Sequence, residues 1–141
     1  MSQDATTLPR RLFAVTLGAK DIARQRSFYE NWGWQAVPYS NEEYVAFDLS
    51  GVSVAFFPTE KLAEEAAPGE ALPSKGAWKA VTLAVSLPGR DDVDAAWQAA
   101  VASGATAVGK PVDRTWGGRS GYVADPEGNR WEIAWVPPMP A

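Results

Sequence analysis

The chain has 141 residues, 46% of them hydrophobic and 21% charged, with 13 Lys+Arg against 17 Asp+Glu for a net charge of -4. These values suit one small folded unit, exclude a disordered composition and set an acidic surface against phosphate backbones, so no nucleic acid partner is expected. Cys and His are both absent, which excludes disulfides, thiolate nucleophiles, Ser-His-Asp triads and any metal site built on imidazole or thiolate.

Met1 to Pro9 is polar and has no apolar stretch of the signal-peptide kind. No apolar run approaches the ~20 residues of a membrane span. A cytoplasmic protein with no membrane partner is therefore expected. The first strand-like run is Ala14-Val-Thr-Leu17. Asp21 is placed to cap a helix over 22–32, where Ile22, Phe28, Tyr29 and Trp32 recur at helical spacing and Gly33 supplies a stop. Strands are predicted at Trp34–Tyr39, Tyr44–Leu49 and Val52–Phe57, with Ser50-Gly51 as the turn between the last two.

Thr59 to Trp78 reads as a linker. It holds a short helix, Glu60–Ala66, with Thr59 as its expected cap, and then a loop marked by Pro68, Gly69, Pro73 and Gly76. A second strand-like run, Ala80-Val-Thr-Leu83, repeats the first. Asp91 is the expected cap of a helix over 92–103 with a stripe of Val93, Trp97, Ala100 and Val101. Strands follow at Thr106–Val112, Gly121–Ala124 and Arg130–Val136, the last two joined by the turn Asp125-Pro-Glu-Gly-Asn129. Pro137-Pro-Met-Pro140 reads as an extended tail. Ser53-Val-Ala-Phe-Phe-Pro58 and Glu132-Ile-Ala-Trp-Val-Pro137 share one pattern. The expected fold class is α+β: two tandem βαβββ modules over 10–58 and 79–137, joined by the 59–78 linker.

Val15-Thr-Leu-Gly-Ala-Lys-Asp21, Ser27-Phe-Tyr-Glu30 and Trp32-Gly-Trp34 stand in one half, and Trp116-Gly-Gly-Arg-Ser-Gly-Tyr122, Ala124-Asp-Pro-Glu-Gly-Asn129 and Trp131-Glu132 in the other. In this ordered set the chain resembles the vicinal oxygen chelate superfamily, which includes glyoxalase I, extradiol dioxygenases and bleomycin resistance proteins. The resemblance spans about residues 12–137. It implies sheets that curve round a cleft, commonly in a homodimer. It also implies four converging metal ligands in the metal enzymes. Those positions fall here on Ala14, Ala80, Ser53 and Glu132, so no metal and no other cofactor is expected.

Glu132 is the leading candidate. If Ala134 faces the cleft, period-two alternation places Glu132 there too, as a partner for a cationic ligand or as a catalytic acid/base. The same alternation puts Thr16 and Thr82 on the cleft floor near Ser53. Phe47 and Phe57 are further ligand-binding candidates. So are Trp116, in the glycine-centred 113–120 loop that precedes a cleft strand, and Tyr122 behind it. Phe28, Tyr29, Trp32 and Trp97 are expected in the core. The leading function is a metal-free small-molecule binding protein similar to bleomycin resistance proteins, which sequester an aromatic, often cationic drug. The alternative is a metal-independent isomerase or lyase using Glu132. A metal-dependent glyoxalase or dioxygenase is the least supported reading.

Overall fold

The computed structural model describes residues 7–74 and 76–138; Met139 and Pro140 of the expected tail lie outside them. The elements run β1 (Ala14–Ala19), α1 (Ile22–Asn31), β2 (Val45–Leu49), β3 (Val52–Pro58), α2 (Thr59–Ala66), β4 (Thr82–Ser86), α3 (Asp92–Ala102), β5 (Thr106–Asp113), β6 (Arg119–Ala124) and β7 (Arg130–Trp135). The architecture is α+β. Strands β1-β3-β2 form one mixed sheet and β4-β7-β6-β5 a second, with β1·β3 and β4·β7 parallel and the remaining pairs antiparallel.

Three local expectations are corrected. The Trp34–Tyr39 segment is no strand: it contributes one bridge, Ala36 opposite Phe47, and one backbone bond from Val37 N–H to Ala46 at 2.8 Å. Pro38, next in the chain, has no N–H with which to extend the ladder. Asp91 makes no side-chain cap; Asp92, within α3, accepts from the Gly89 N–H at 2.9 Å instead. Thr59 is the first residue of α2, and its hydroxyl packs against Gly18. Asp21 does cap α1, accepting from the Arg24 N–H at 3.0 Å.

Helices α1 and α3 each pack on one face of a sheet, whereas α2 buries no residue. Tyr29, fully buried on α1, sits in a cluster of rings: Phe28 at 4.8 Å, Trp34 and Phe56 both stacked at 5.3 Å, Phe47 at 5.6 Å. Trp131 of β7 joins this cluster at 6.1 Å and donates its indole N–H to the Tyr29 hydroxyl at 2.9 Å. The two halves thus share one apolar core.

A buried carboxylate completes the junction. Asp125, only 3% exposed, opens the β6–β7 turn. It accepts from Tyr29 Oη at 2.6 Å and Gln25 Nε2 at 2.8 Å, both on α1. Within its own turn it accepts from the Glu127 and Asn129 backbone N–H groups and from Asn129 Nδ2, each at 2.9 Å. A buried charge of this kind is tolerable only when its lone pairs are filled. Glu127 reaches the other way and accepts from the Lys20 and Asp21 N–H groups just before α1. The turn therefore grips the start and the inner face of α1 together.

Burial pushes the Tyr29 phenol well above its ordinary 10.0, and the charge and hydrogen bond of Asp125 push it the same way; the Trp131 bond opposes them. A raised folded-state value gives stability that is complete below pH 10 and declines as the pH climbs above it. Tyr29→Phe should cost about 2 kcal/mol at neutral pH and Asp125→Ala about 3 kcal/mol in urea unfolding. Above pH 10 the stability of Tyr29→Phe should fall less steeply than that of the parent chain. Ala80 adopts a left-handed φ of 61°, so Ala80→Gly should raise stability by about 0.5–1 kcal/mol in the same assay.

Candidate functional site

Pairing registers divide the side chains of each sheet into two sets. In the second sheet Leu83, Val85, Trp131, Ile133, Gly121 and Val123 share the face that packs on α3. Gly121 lets the helix come close, since a Cβ there would stand 2.9 Å from the Trp97 ring. The opposite face carries Thr82 beside Arg130, Ala84 beside Glu132, Ser86 beside Ala134, then Tyr122 and Ser120 across from Glu132 and Ala134.

Glu132 lies half-buried on this open face. Tyr122 is its cross-strand neighbour, and the Tyr122 phenol is held above its ordinary 10.0 by burial first, then by the Glu132 charge and a hydrogen bond to it, with Arg114 opposing. The Arg114 guanidinium lies 5.6 Å from the Tyr122 ring centre. Its Nε donates to Ser120 Oγ at 2.9 Å and its Nη2 to the Ser120 carbonyl at 3.0 Å. Carboxylate, phenol and guanidinium thus line up across one sheet surface. A phenol can donate a hydrogen bond and a carboxylate can accept one. Such a strip offers both a negative and a positive contact to a ligand, with an aromatic ring between them.

In the first sheet Ala14 pairs with Ser53, Thr16 with Ala55 and Gly18 with Phe57, all on the face turned away from α1. Thr16, Ser53 and Phe57 therefore share one surface, with Tyr44 6.4 Å from the Phe57 ring. Phe47 is different. It projects to the other face, is 1% exposed and packs against Tyr29 and Trp34, so it belongs to the core and not to a ligand surface. Its alternation with Asp48 was readable, but not which parity faced α1.

The predicted candidates form two groups, Thr16, Ser53 and Phe57 on one sheet and Thr82, Tyr122 and Glu132 on the other. No strand of one sheet pairs with a strand of the other among the described residues. Trp116 belongs to neither group. It is 51% exposed and folds over Gly118 in its own loop, where a Cβ would stand 1.9 Å from the Trp116 ring.

The expected equivalence of Ala14 with Ala80 is corrected. Ser53 does pair with Ala14, but Glu132 pairs with Ala84, and Ala80 precedes the strand. The repeated Ala-Val-Thr-Leu is out of structural phase; Ala84-Val-Ser-Leu87 is the counterpart of Ala14-Val-Thr-Leu17. The signal was present in the spacing to the helices, because Asp21 follows Ala14 at the distance at which Asp91 follows Ala84. Ser86 thereby occupies the position equivalent to Thr16. Arg114 and Ser120 belong to the 113–120 loop that the sequence points to, but their pairing with one another beside Tyr122 was not readable there.

The four strand positions are thus Ala14, Ser53, Ala84 and Glu132, one carboxylate and one hydroxyl. That donor set does not suit a divalent ion, and no group of three or more His, Cys, Asp or Glu able to hold one occurs among the described residues. No helix of the described residues is long and apolar enough to cross a membrane.

Residues 11–133 match the profile of the Glyoxalase/Bleomycin resistance protein/Dioxygenase superfamily. A glyoxalase-related enzyme from Fulvimarina pelagi superposes with a TM-score of 0.78 at 28% identity, covering 94% of each chain. A glyoxalase/bleomycin resistance protein/dioxygenase from Nocardioides gives a TM-score of 0.75 at 23% identity over 97% of this chain and 93% of that one. An uncharacterized protein of Mycobacterium bovis is 50% identical over 42 residues, which span 30% of this chain and 28% of the relative.

The packing of Trp116 gives a direct test of the loop. Gly118→Ala should drive the indole off the loop into solvent, which a red shift of tryptophan emission in the variant, absent in a Trp116→Phe background, would show.

Proposed function

Because the chain belongs to the Glyoxalase/Bleomycin resistance protein/Dioxygenase superfamily, we propose that it binds a small organic molecule, without a metal, on the Glu132 face of the second sheet. The observation that carries this reading is the half-buried Glu132 with Tyr122 and Arg114 beside it, where the other three of the four positions are Ala14, Ser53 and Ala84. Glu132 supplies a fixed negative charge for a ligand cation or N–H group. The ligand's aromatic part stacks near Tyr122. An aromatic, cationic metabolite or drug fits this pair of contacts.

A homodimer belongs to the same proposal. Leu12 is 60% exposed, Phe13 78%, Trp116 51% and Val136 53%, a burden of exposed apolar side chains that a second copy would cover. The open faces of the two sheets, which carry the two groups of candidate residues, would then be closed by the partner.

A second reading is favoured by the cross-strand placement of Tyr122 opposite Glu132. A phenol and a carboxylate in contact form a proton-relay pair, as a metal-independent isomerase or lyase acting beside a carbonyl requires. The chain's own groups would hold the proton at Tyr122 Oη and receive one at the Glu132 carboxylate.

Titration of a panel of aromatic cations, followed by tryptophan emission, tests the first reading. Glu132→Gln should weaken the cationic ligands about tenfold and leave neutral aromatic ones unchanged. No response to any member of the panel overturns it. Turnover of a carbonyl compound that Glu132→Gln abolishes, with binding retained, would establish the second reading. Sedimentation velocity should report a dimer; a monomer at all concentrations removes the proposed cover.

A further inference from the structure

Two arginines near β6 are neutralised by carboxylates and a third is not. Arg119 pairs with Asp94 at 2.8 Å and with Asp113 at 3.1 Å, and Arg90 pairs with the same Asp113. Among the described residues no carboxylate lies within ion-pair distance of Arg114. Its guanidinium is nevertheless fixed. The Arg114 backbone closes a turn, with its N–H donating to the Gly118 carbonyl at 2.8 Å and its carbonyl accepting from the Gly117 N–H at 3.1 Å. Its side chain donates from Nε to Ser120 Oγ and from Nη2 to the Ser120 carbonyl, and Ser120 is fully buried. A guanidinium has five N–H donors, so these two bonds leave an edge for another partner, and the side chain is only half-buried.

Glu132 is in the converse state. No cation lies within ion-pair distance of it among the described residues. Arg130, two residues earlier on the same face of β7, turns back to the Gly128 carbonyl at 2.6 Å. Strand β6 lies between β7 and β5, so Tyr122 stands between Glu132 on one side and Arg114, just past the end of β5, on the other. Two strand spacings set these charges on the order of 10 Å apart at the backbone. Burial raises the Tyr122 phenol above its ordinary value, the Glu132 charge adds to the rise and the Arg114 charge opposes it, so one ring senses both charges. The sheet thus holds two opposite charges beside a shared aromatic ring without letting them pair.

Resting on the reading of the Glu132 face given above, we propose that its ligand is a zwitterion. The ligand's cationic group meets Glu132, its carboxylate meets the open edge of Arg114, and an aromatic ring between the two lies along Tyr122. Arg114 is the residue that makes the face select for the second, negative charge. Its fork is already oriented by Ser120 and loses little freedom on binding, and guanidinium matches a carboxylate in geometry as well as charge.

The probes are 4-(aminomethyl)benzoate, a zwitterion with a ring between its charges, and its methyl ester, which keeps the ring and the ammonium and loses the negative charge. Calorimetric titration at neutral pH should show the zwitterion binding about tenfold more tightly than the ester. Arg114→Gln should erase that preference, and Arg114→Lys should keep part of it, since the charge stays and the fork goes. Arg130→Gln should leave the preference as it is in the parent. Glu132→Gln should weaken both compounds by the same factor. Equal binding of the two compounds by the parent chain, which needs no variant to fold, overturns the proposal. So does a preference that survives Arg114→Gln or is lost in Arg130→Gln. In each of these cases, ester binding that depends on Glu132 leaves the reading of the Glu132 face intact. Failure of both compounds to bind overturns the zwitterion proposal, while the reading of the Glu132 face is decided separately by the panel of aromatic cations.

Discussion

One carboxylate holds the two halves of this protein in register. Asp125 is buried, and a buried charge is destabilising unless donors surround it. Here the donors come from two places: the turn that Asp125 itself opens, and the inner face of α1 in the other half. Neither set alone fills the carboxylate. The closed turn and the docked helix therefore share one set of hydrogen bonds, and the aromatic core, in which Trp131 reaches Tyr29, adjoins it. The fold's two similar halves therefore depend on a contact that is not itself repeated, since the β2–β3 turn of the first half is only Ser50-Gly51.

The pleat of β7 then separates two surfaces. Trp131 and Ile133 point to the helix side, where they floor an indole-lined hollow. Glu132 points to the open side, where it meets Tyr122. Alternation along a single strand thus separates a polar strip from an apolar hollow by the thickness of one sheet. Arg114 joins the polar side through Ser120, which is buried and so fixes the guanidinium over the Tyr122 ring. Among the four positions Ala14, Ser53, Ala84 and Glu132, the charged group is the Glu132 carboxylate, with Tyr122 as its cross-strand neighbour.

Much of this was legible in the chain. The three helices, most strands, the stop at Gly33 and the Asp125–Asn129 turn follow from periodicity and turn chemistry. Alternation along β7 separates Glu132 from Trp131 and Ile133, as the pairing register shows. The same method misplaced Phe47, because parity within a strand says which residues share a face and not which face is covered. The short repeat misled in the same way. Ala80 and Ala84 begin similar tetrapeptides, and only the hydrogen-bond ladder to β7 chooses between them.

What the sequence alone determined was chemical. Without His or Cys, and with alanines at either candidate position in the first strand of each half, the chain offers no imidazole or thiolate there whichever register it adopts. What only the tertiary structure decided was relational: which acid becomes the buried hub and which arginine lies over Tyr122. Local sequence carries propensity over a few residues, whereas these outcomes depend on groups about a hundred positions apart, as Gln25 is from Asp125, or on the path of a loop that a glycine allows. Such contacts are settled by packing and by the need to satisfy every buried polar group at once.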